Sequence, residues 1–268
     1  MHELNTTEYS IITPLFQDID YNLAVKAVIK GTASAKVYVD DDTRPSAALV
    51  QVKSRFYLGG SPKNTFNTHI KEVIMEHIAS GDEPENKIAV LYYTSPWDTA
   101  LGILLKDQSP VKAFREYYTF ERLNYDWRDL CPQGFSIKWV TRSLLNTLSR
   151  AKNIDILKKE MCSERASIKD FFENSFGVCA VYHSEIAGWC LSEYNTGTQC
   201  EIGIETLKPY QKQGIATVTA SALIEYALSK GITHIGWHCY KNNIPSIKTA
   251  LKIGFKKALE YPVHVVGH

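Results

Sequence analysis

Glu201-Ile202-Gly203-Ile204-Glu205-Thr206-Leu207-Lys208-Pro209-Tyr210-Gln211-Lys212-Gln213-Gly214-Ile215-Ala216-Thr217 reads as a strand that runs into a turn, and the turn opens a helix. The first amides of a helix have no partner within it, and the aligned peptide dipoles place about half a positive charge there. A pyrophosphate suits such an end, provided that no side chain blocks its approach. Gly214 and Ala216 keep that approach open. Ile215, Val218, Ala222 and Tyr226 give the helix an apolar stripe, so its start is expected to be rigid.

Downstream of that turn the pattern predicts a helix over Gln213–Lys230, a strand at His234–Tyr240, a helix at Asn243–Ile253 and a strand at Lys256–Val266. Upstream lie three closely spaced strands, Gly177–His183, Glu185–Tyr194 and Gln199–Leu207. A strand at Phe135–Val140 and helical material over Ser143–Glu160 and Ile168–Glu173 come before them. The polar stretch Asn124–Gly134 is the candidate linker. In the first half, residues 1–30 read as a loose start and a short helix around Tyr21–Ile29. Lys36–Asp40 and Ala47–Tyr57 form a hairpin about the turn residues Asp41–Pro45, broken by Gly59-Gly60-Ser61-Pro62. Asn64 or Thr65 then caps a helix to about Ala79, Lys87–Tyr93 is a buried strand, Ser95 caps a helix over Trp97–Leu105, and Val111–Leu123 is an aromatic-rich strand. The fold class is α/β, with a mixed rather than all-parallel sheet because of the hairpins.

A chain of 268 residues is long enough for one large domain or two small ones. The apolar share of 44% with 22% charged residues is that of a globular protein. Thirty basic against 29 acidic side chains leave almost no net field, so nucleic acid and anionic membrane are not expected partners. No apolar run of membrane-spanning length and no leader pattern is present, which predicts a cytoplasmic protein. The six cysteines form no C-x-x-C pair and read as buried thiols. His234 and His238 share a strand face without a third ligand, so no metal is expected.

The segment Gln211-x-x-Gly214-x-Ala216 resembles the Q/R-x-x-G-x-G/A motif of the GCN5-related N-acetyltransferases (GNAT). A strand and then Asn243-x-x-Ser246 follow, ending at Lys252-Ile253-Gly254-Phe255, which is similar to the second cofactor-binding stretch of that family. Trp189–Tyr194, Glu201–Thr206 and Trp237-His238-Cys239 resemble a bacterial subgroup with an extra N-terminal domain, which includes an enzyme of resistance to the antibiotic zwittermicin A. The resemblance implies a GNAT acyl-CoA N-acyltransferase fold with a mixed central sheet over residues 135–268, an N-terminal α/β domain over 1–125 and a linker at 126–134. It implies an acetyltransferase that takes acetyl-CoA as cosubstrate and a primary amine of a small molecule or peptide as acceptor. Main-chain groups of Ile204, Glu205 and Thr206 would pair with the pantetheine arm. The amides of Gln211, Lys212, Gln213, Gly214, Ile215, Ala216 and Thr217 would hold the pyrophosphate, with Asn243 and Ser246 beside the arm. Asn242 or Asn243 also suits a helix cap before Ile244-Pro245, and for Asn243 both roles are compatible.

Acyl transfer needs a neutral amine. At pH 7 a lysine-like amine is neutral in only about one molecule in 10³·⁴, a cost of about 4.6 kcal/mol that a nearby carboxylate helps to meet. Strand alternation puts Glu201, Gly203 and Glu205 on one face, with the glycine leaving room for a substrate. Glu201 stands where the family's catalytic glutamate falls, and Glu205 is the other candidate. Many relatives carry a tyrosine acid seven residues after the asparagine; here that position is Ala250. Tyr194, His238, Cys239 or water remain to protonate the leaving thiolate, whose pKa near 8.5 makes it a tolerable leaving group without one. A non-catalytic acyl-CoA-binding module is the alternative reading. In the first half, residues 47–123 repeat the element order of 199–266, but Leu58-Gly59-Gly60-Ser61-Pro62-Lys63 lacks the motif. This predicts a degenerate copy of the same fold that holds no cofactor and walls the acceptor site.

Overall fold

The computed structural model describes residues 1–81 and 87–267. The chain is α/β, with a large mixed sheet, and divides into two compact units. Unit 1 is residues 1–115 with the C-terminal segment from Tyr261; unit 2 is Glu116–Glu260.

Unit 1 begins with strand β1 (His2–Glu3) and a 3-10 helical run, Thr6–Ile19, where the sequence suggested a loose start. The spacing of Tyr9, Ile12, Phe16 and Ile19 explains the difference, because all four are buried on one side of the run. Helix α1 (Leu23–Ile29) and strands β2 (Lys36–Val39), β3 (Ala47–Val52) and β4 (Arg55–Gly60) follow. The expected strand over 47–57 is thus two strands, turned at Lys53, whose φ is 52°. Between β2 and β3, the Asp41 carboxylate accepts the amides of Thr43 and Arg44 at 2.9 and 2.8 Å, which fixes the turn. Helix α2 (Asn64–Ser80) starts one residue before Thr65 with Lys63 at the cap position, so neither expected cap residue caps it. Strand β5 (Ala89–Tyr93), helix α3 (Trp97–Leu104) and strand β6 (Val111–Phe120) complete the first half of the chain. Pro96, not Ser95, precedes α3.

In unit 2, strand β7 (Phe135–Trp139) leads to helices α4 (Arg142–Thr147), α5 (Ile154–Met161) and α6 (Ile168–Asn174). The helical material expected over 143–160 is two helices, with a break before Asn153, which sits in the left-handed region at φ 69°. Strands β8 (Gly177–Tyr182), β9 (Glu185–Thr196) and β10 (Gln199–Thr206) form an antiparallel meander with β7. Helix α7 (Ile215–Ser229), strand β11 (His234–Tyr240), helix α8 (Ile244–Ile253) and strand β12 (Phe255–Val266) end the chain.

Strand order is β1-β2-β3-β4-β5 and then the end of β12 in unit 1; in unit 2 it is β12-β6-β11-β10-β9-β8-β7. The sequence β4-α2-β5-α3-β6 therefore repeats β10-α7-β11-α8-β12. In each case the first strand pairs antiparallel with its predecessor and parallel with its successor.

The two parallel pairs end differently. β10 and β11 are paired only at Gln199↔His234, Cys200↔Ile235 and Glu201↔Gly236, although β10 runs on to Thr206 and β11 to Tyr240. β4 and β5 stay together through Leu58↔Tyr93. Beyond that pair, the Thr94 amide donates to Leu58 O at 3.0 Å and the Thr94 hydroxyl to Gly60 O at 3.1 Å. The indole of fully buried Trp97 donates to Gly59 O at 3.2 Å. A Cβ at residue 59 would lie 2.8 Å from Leu15 O and from the Phe16 ring, so the glycine lets the 3-10 run close over this strand end. Trp97→Phe would leave the buried Gly59 carbonyl without its indole donor. The expected loss is about 1–3 kcal/mol of unfolding free energy, read as a lower urea midpoint at unchanged slope. An unaltered midpoint would show that the indole does not hold this end of the pair.

Candidate functional site

Where β10 leaves β11, a groove of about 440 Å³ opens in unit 2. Ile204, Glu205 and Thr206 form one wall, and Trp237, Asn243, Ser246 and Thr249 the other. The turn and first residues of α7 close its end. All the residues expected to hold a cosubstrate line this one groove except Gln213. The Gln213 side chain instead donates to Pro209 O at 3.3 Å.

The turn is held by its own side chains. Gln211 Nε2 donates to Thr206 O at 2.9 Å and so ties the turn to the end of β10. Lys212 and Gly214 both have positive φ, 63° and 86°. Gly214 takes the cap position of α7, and the space where its Cβ would stand is open. The first intrahelical bond is Val218 N–H to Gly214 O at 3.1 Å. The amides of 215–217 precede it and face the groove end without helical acceptors. The Ile215 and Thr217 side chains are buried, so it is their backbone that is presented.

Across the groove, Asn243 caps α8, its side chain accepting the Ser246 amide at 3.2 Å. The Ser246 hydroxyl accepts the Trp237 indole N–H at 2.9 Å. The Thr206 hydroxyl is buried and has no hydrogen-bond partner among the described residues.

Glu201 lies at the last bonded pair before the strands part and is buried. Its Oε1 is 3.1 Å from His238 Nε2, and both side chains are nearly inaccessible, at 3% and 7%. Cys239, the next residue, points to the opposite face and lies in the core with Trp237 and Ala250. The neighbouring Cys200 thiol is pushed up to about 12, by burial first and the Glu201 carboxylate second. Glu205 stands exposed at the groove edge. Partial desolvation at that edge raises its carboxyl above the usual range, partly offset by a hydrogen bond from the Thr206 amide.

Tyr194 was a candidate acid from the sequence; Glu193, Glu164 and Arg165, which gather beside it, were not singled out. β9 carries a bulge opposite the Glu201/Ile202 step. Tyr194 is thereby set directly across from Glu201, while Glu193 reaches Gly203. A Cβ at residue 203 would lie 2.2 Å from Glu193 Oε1, so the room left by the glycine is filled by that carboxylate. The Tyr194 hydroxyl donates to Glu164, which is also buried. Arg165 ties the same loop down, its Nη2 donating to Glu193 O at 2.6 Å and Asn174 O at 3.2 Å. Strict strand alternation separates Glu193 from Tyr194; only the bulge brings both to one side.

These features, a helix end with free amides beside two parted parallel strands, make up the candidate site. The model of the GNAT acetyltransferase family matches residues 13–264, and the chain belongs to that family. Members use acetyl-CoA as cosubstrate. The chain is 24% identical over 269 residues to YdfB of Bacillus subtilis (strain 168), an uncharacterised N-acetyltransferase, covering 100% of this chain and 99% of that one. A GCN5-related N-acetyltransferase-like protein from Streptococcus suis 89/1591 superposes with a TM-score of 0.73 at 20% identity, covering 96% of this chain and 97% of that one. A tandem GNAT protein from the clavulanic acid biosynthesis pathway superposes with a TM-score of 0.60 at 10% identity, covering 98% and 97%. Among the described residues, no helix is long and apolar enough to cross a membrane, and no group of three or more metal-ligating side chains is assembled.

Ala216→Glu would put a carboxylate where a phosphate is expected. An acid in the first turn favours the helix itself, so the fold should not suffer. Acetyl-CoA affinity measured by calorimetry should fall at least about tenfold, about 1.4 kcal/mol. Equal affinity for the variant and the wild type would remove the phosphate from this turn.

Proposed function

We propose that the chain transfers an acetyl group directly from acetyl-CoA to a primary amine of a small molecule or peptide. The observation that carries this reading is the parting of β10 from β11 at Glu201↔Gly236, with a buried carboxylate at the apex and free helix amides at the far end. On this reading the amides at the start of α7 hold the pyrophosphate. The arm runs between β10 and α8, where the unpartnered Thr206 hydroxyl suits its amide groups. The thioester then reaches the apex.

Glu201, with Oε1 held by His238, takes a proton from the acceptor ammonium directly or through a water. The freed nitrogen attacks the thioester carbon; the new N–C bond forms as the C–S bond breaks, the thiolate leaves, and the second proton on the nitrogen passes through water to the thiolate. Ala250 is fully buried and offers no proton. With a pKa near 8.5, the thiolate can depart and be protonated by water. Glu205 lines the groove itself and is the next candidate for the base. The resemblance to the zwittermicin A resistance subgroup favours a small amine, antibiotics included, as acceptor.

Glu201→Gln keeps the shape and removes the base. It should lower kcat by roughly 10²–10⁴ with little change in acetyl-CoA affinity. Release of free thiol from acetyl-CoA across an amine panel, with mass detection of the product, measures both enzymes. No amine-dependent thiol release with any member, despite acetyl-CoA binding, would favour a non-catalytic acyl-CoA-binding module instead.

We also propose that unit 1 is a degenerate copy of the acetyltransferase fold that binds no cosubstrate. The repeated strand order supports the copy, as does the likeness in fold to a protein described as a tandem GNAT. The closed end of β4–β5, bonded through Thr94 and Trp97, supports the loss of binding. Calorimetry should give one acetyl-CoA per chain; a stoichiometry of two would sink this reading.

A further inference from the structure

β6 passes beside β11 in unit 2, and its residues alternate between faces. Tyr118 turns to the core under α7 and α8, where its hydroxyl donates to buried Glu116 at 2.5 Å. Tyr117 turns the other way, to the face of Glu201, and is only half-buried. Its ring lies on the imidazole of His238, with centroids 4.5 Å apart and planes 19° from parallel. That imidazole is the one whose Nε2 meets Glu201 Oε1.

Gly236 makes the arrangement possible. A Cβ there would lie 2.8 Å from Tyr117 Cε2 and 3.2 Å from Glu201 Cγ. The aromatic ring, the imidazole and the carboxylate thus meet over a residue without a side chain. A glutamate has three rotatable side-chain bonds and a histidine two. A carboxylate that must meet an amine in one geometry loses rate when it is free to turn, and misplacement by about 1 Å can cost about 10²-fold.

We propose that Tyr117 is a positioning residue. By stacking on His238 it holds the imidazole where it bonds Glu201, so the carboxylate meets the acceptor amine in one fixed orientation. This role rests on Glu201 being the base. It requires the flat ring of Tyr117 rather than its hydroxyl, so phenylalanine should substitute and an aliphatic side chain should not.

Turnover and KM are measured for wild type, Tyr117→Leu, Tyr117→Phe, Glu201→Gln and the double variant Glu201→Gln/Tyr117→Leu. Tyr117→Leu should lower kcat by roughly 10–10²-fold with KM for acetyl-CoA within about twofold, and Tyr117→Phe should recover most of the loss. In the Glu201→Gln background, Tyr117→Leu should cost less than about twofold more, because the group it orients is already gone. Wild-type turnover in Glu201→Gln would overturn the base assignment and this role with it. A slow Glu201→Gln enzyme that Tyr117→Leu slows again by its full factor would overturn the positioning role alone. So would a Tyr117→Leu enzyme with unchanged kcat, or a Tyr117→Phe enzyme as slow as Tyr117→Leu.

Discussion

Everything in the site follows from the parting of two parallel strands. Neighbouring strands normally satisfy each other's N–H and C=O groups, and buried polar groups left unpaired cost free energy. β10 keeps its bonds to β9 through Thr206, so only its other edge is given up beyond Glu201. That edge then lines a groove instead of a ladder. A ligand with its own amide groups can restore what the partner strand would have supplied, as an edge strand is completed by an added strand. The bulge on β9 falls at the same step. Bulges increase local twist and re-aim side chains, and here this one gathers Tyr194 and Glu193 on the face of Glu201.

Unit 1 is a counter-example within the same chain. Its β4–β5 pair has the same direction, the same preceding antiparallel strand and the same helical crossover. Yet a threonine and a tryptophan bond the carbonyls of Gly59 and Gly60 just where the other pair opens. The contrast shows that the topology does not itself make a groove. Local side chains decide whether the strand ends are closed or left apart.

The polar face around Glu201 is ordered by fixed partners on both sides. Tyr194 and Glu164 lie toward β9, and His238 and Tyr117 toward β6. A buried carboxylate is costly unless it is hydrogen-bonded, and His238 meets part of that cost for Glu201. The glycines at 203 and 236 are the spatial condition for this crowding. Each stands where a single methyl group would collide with a carboxylate chain or a ring.

The sequence by itself determined what depends on near neighbours. The strand, turn and helix over 201–217 were legible because periodicity and the glycine at 214 act within a few residues. The cap at Asn242 or Asn243, which is Asn243, and the shared face of Glu201 and Glu205 were legible for the same reason. Strand β11 was read to its end residues, and the other elements of unit 2 to within a few, apart from the break before Asn153. Contacts between distant segments were decided only by the tertiary structure. The bulge that sets Glu193 over Gly203 depends on how β9 and β10 are paired, which alternation along one strand does not encode. Tyr117 was read as one of several aromatics on a strand, and only the placing of β6 beside β11 lays its ring on His238. The bond from Trp97 to Gly59 and the 3-10 run over it are of the same kind. Local propensity acts through bonds and near neighbours, whereas these contacts exist only after strands far apart in the chain have found their register.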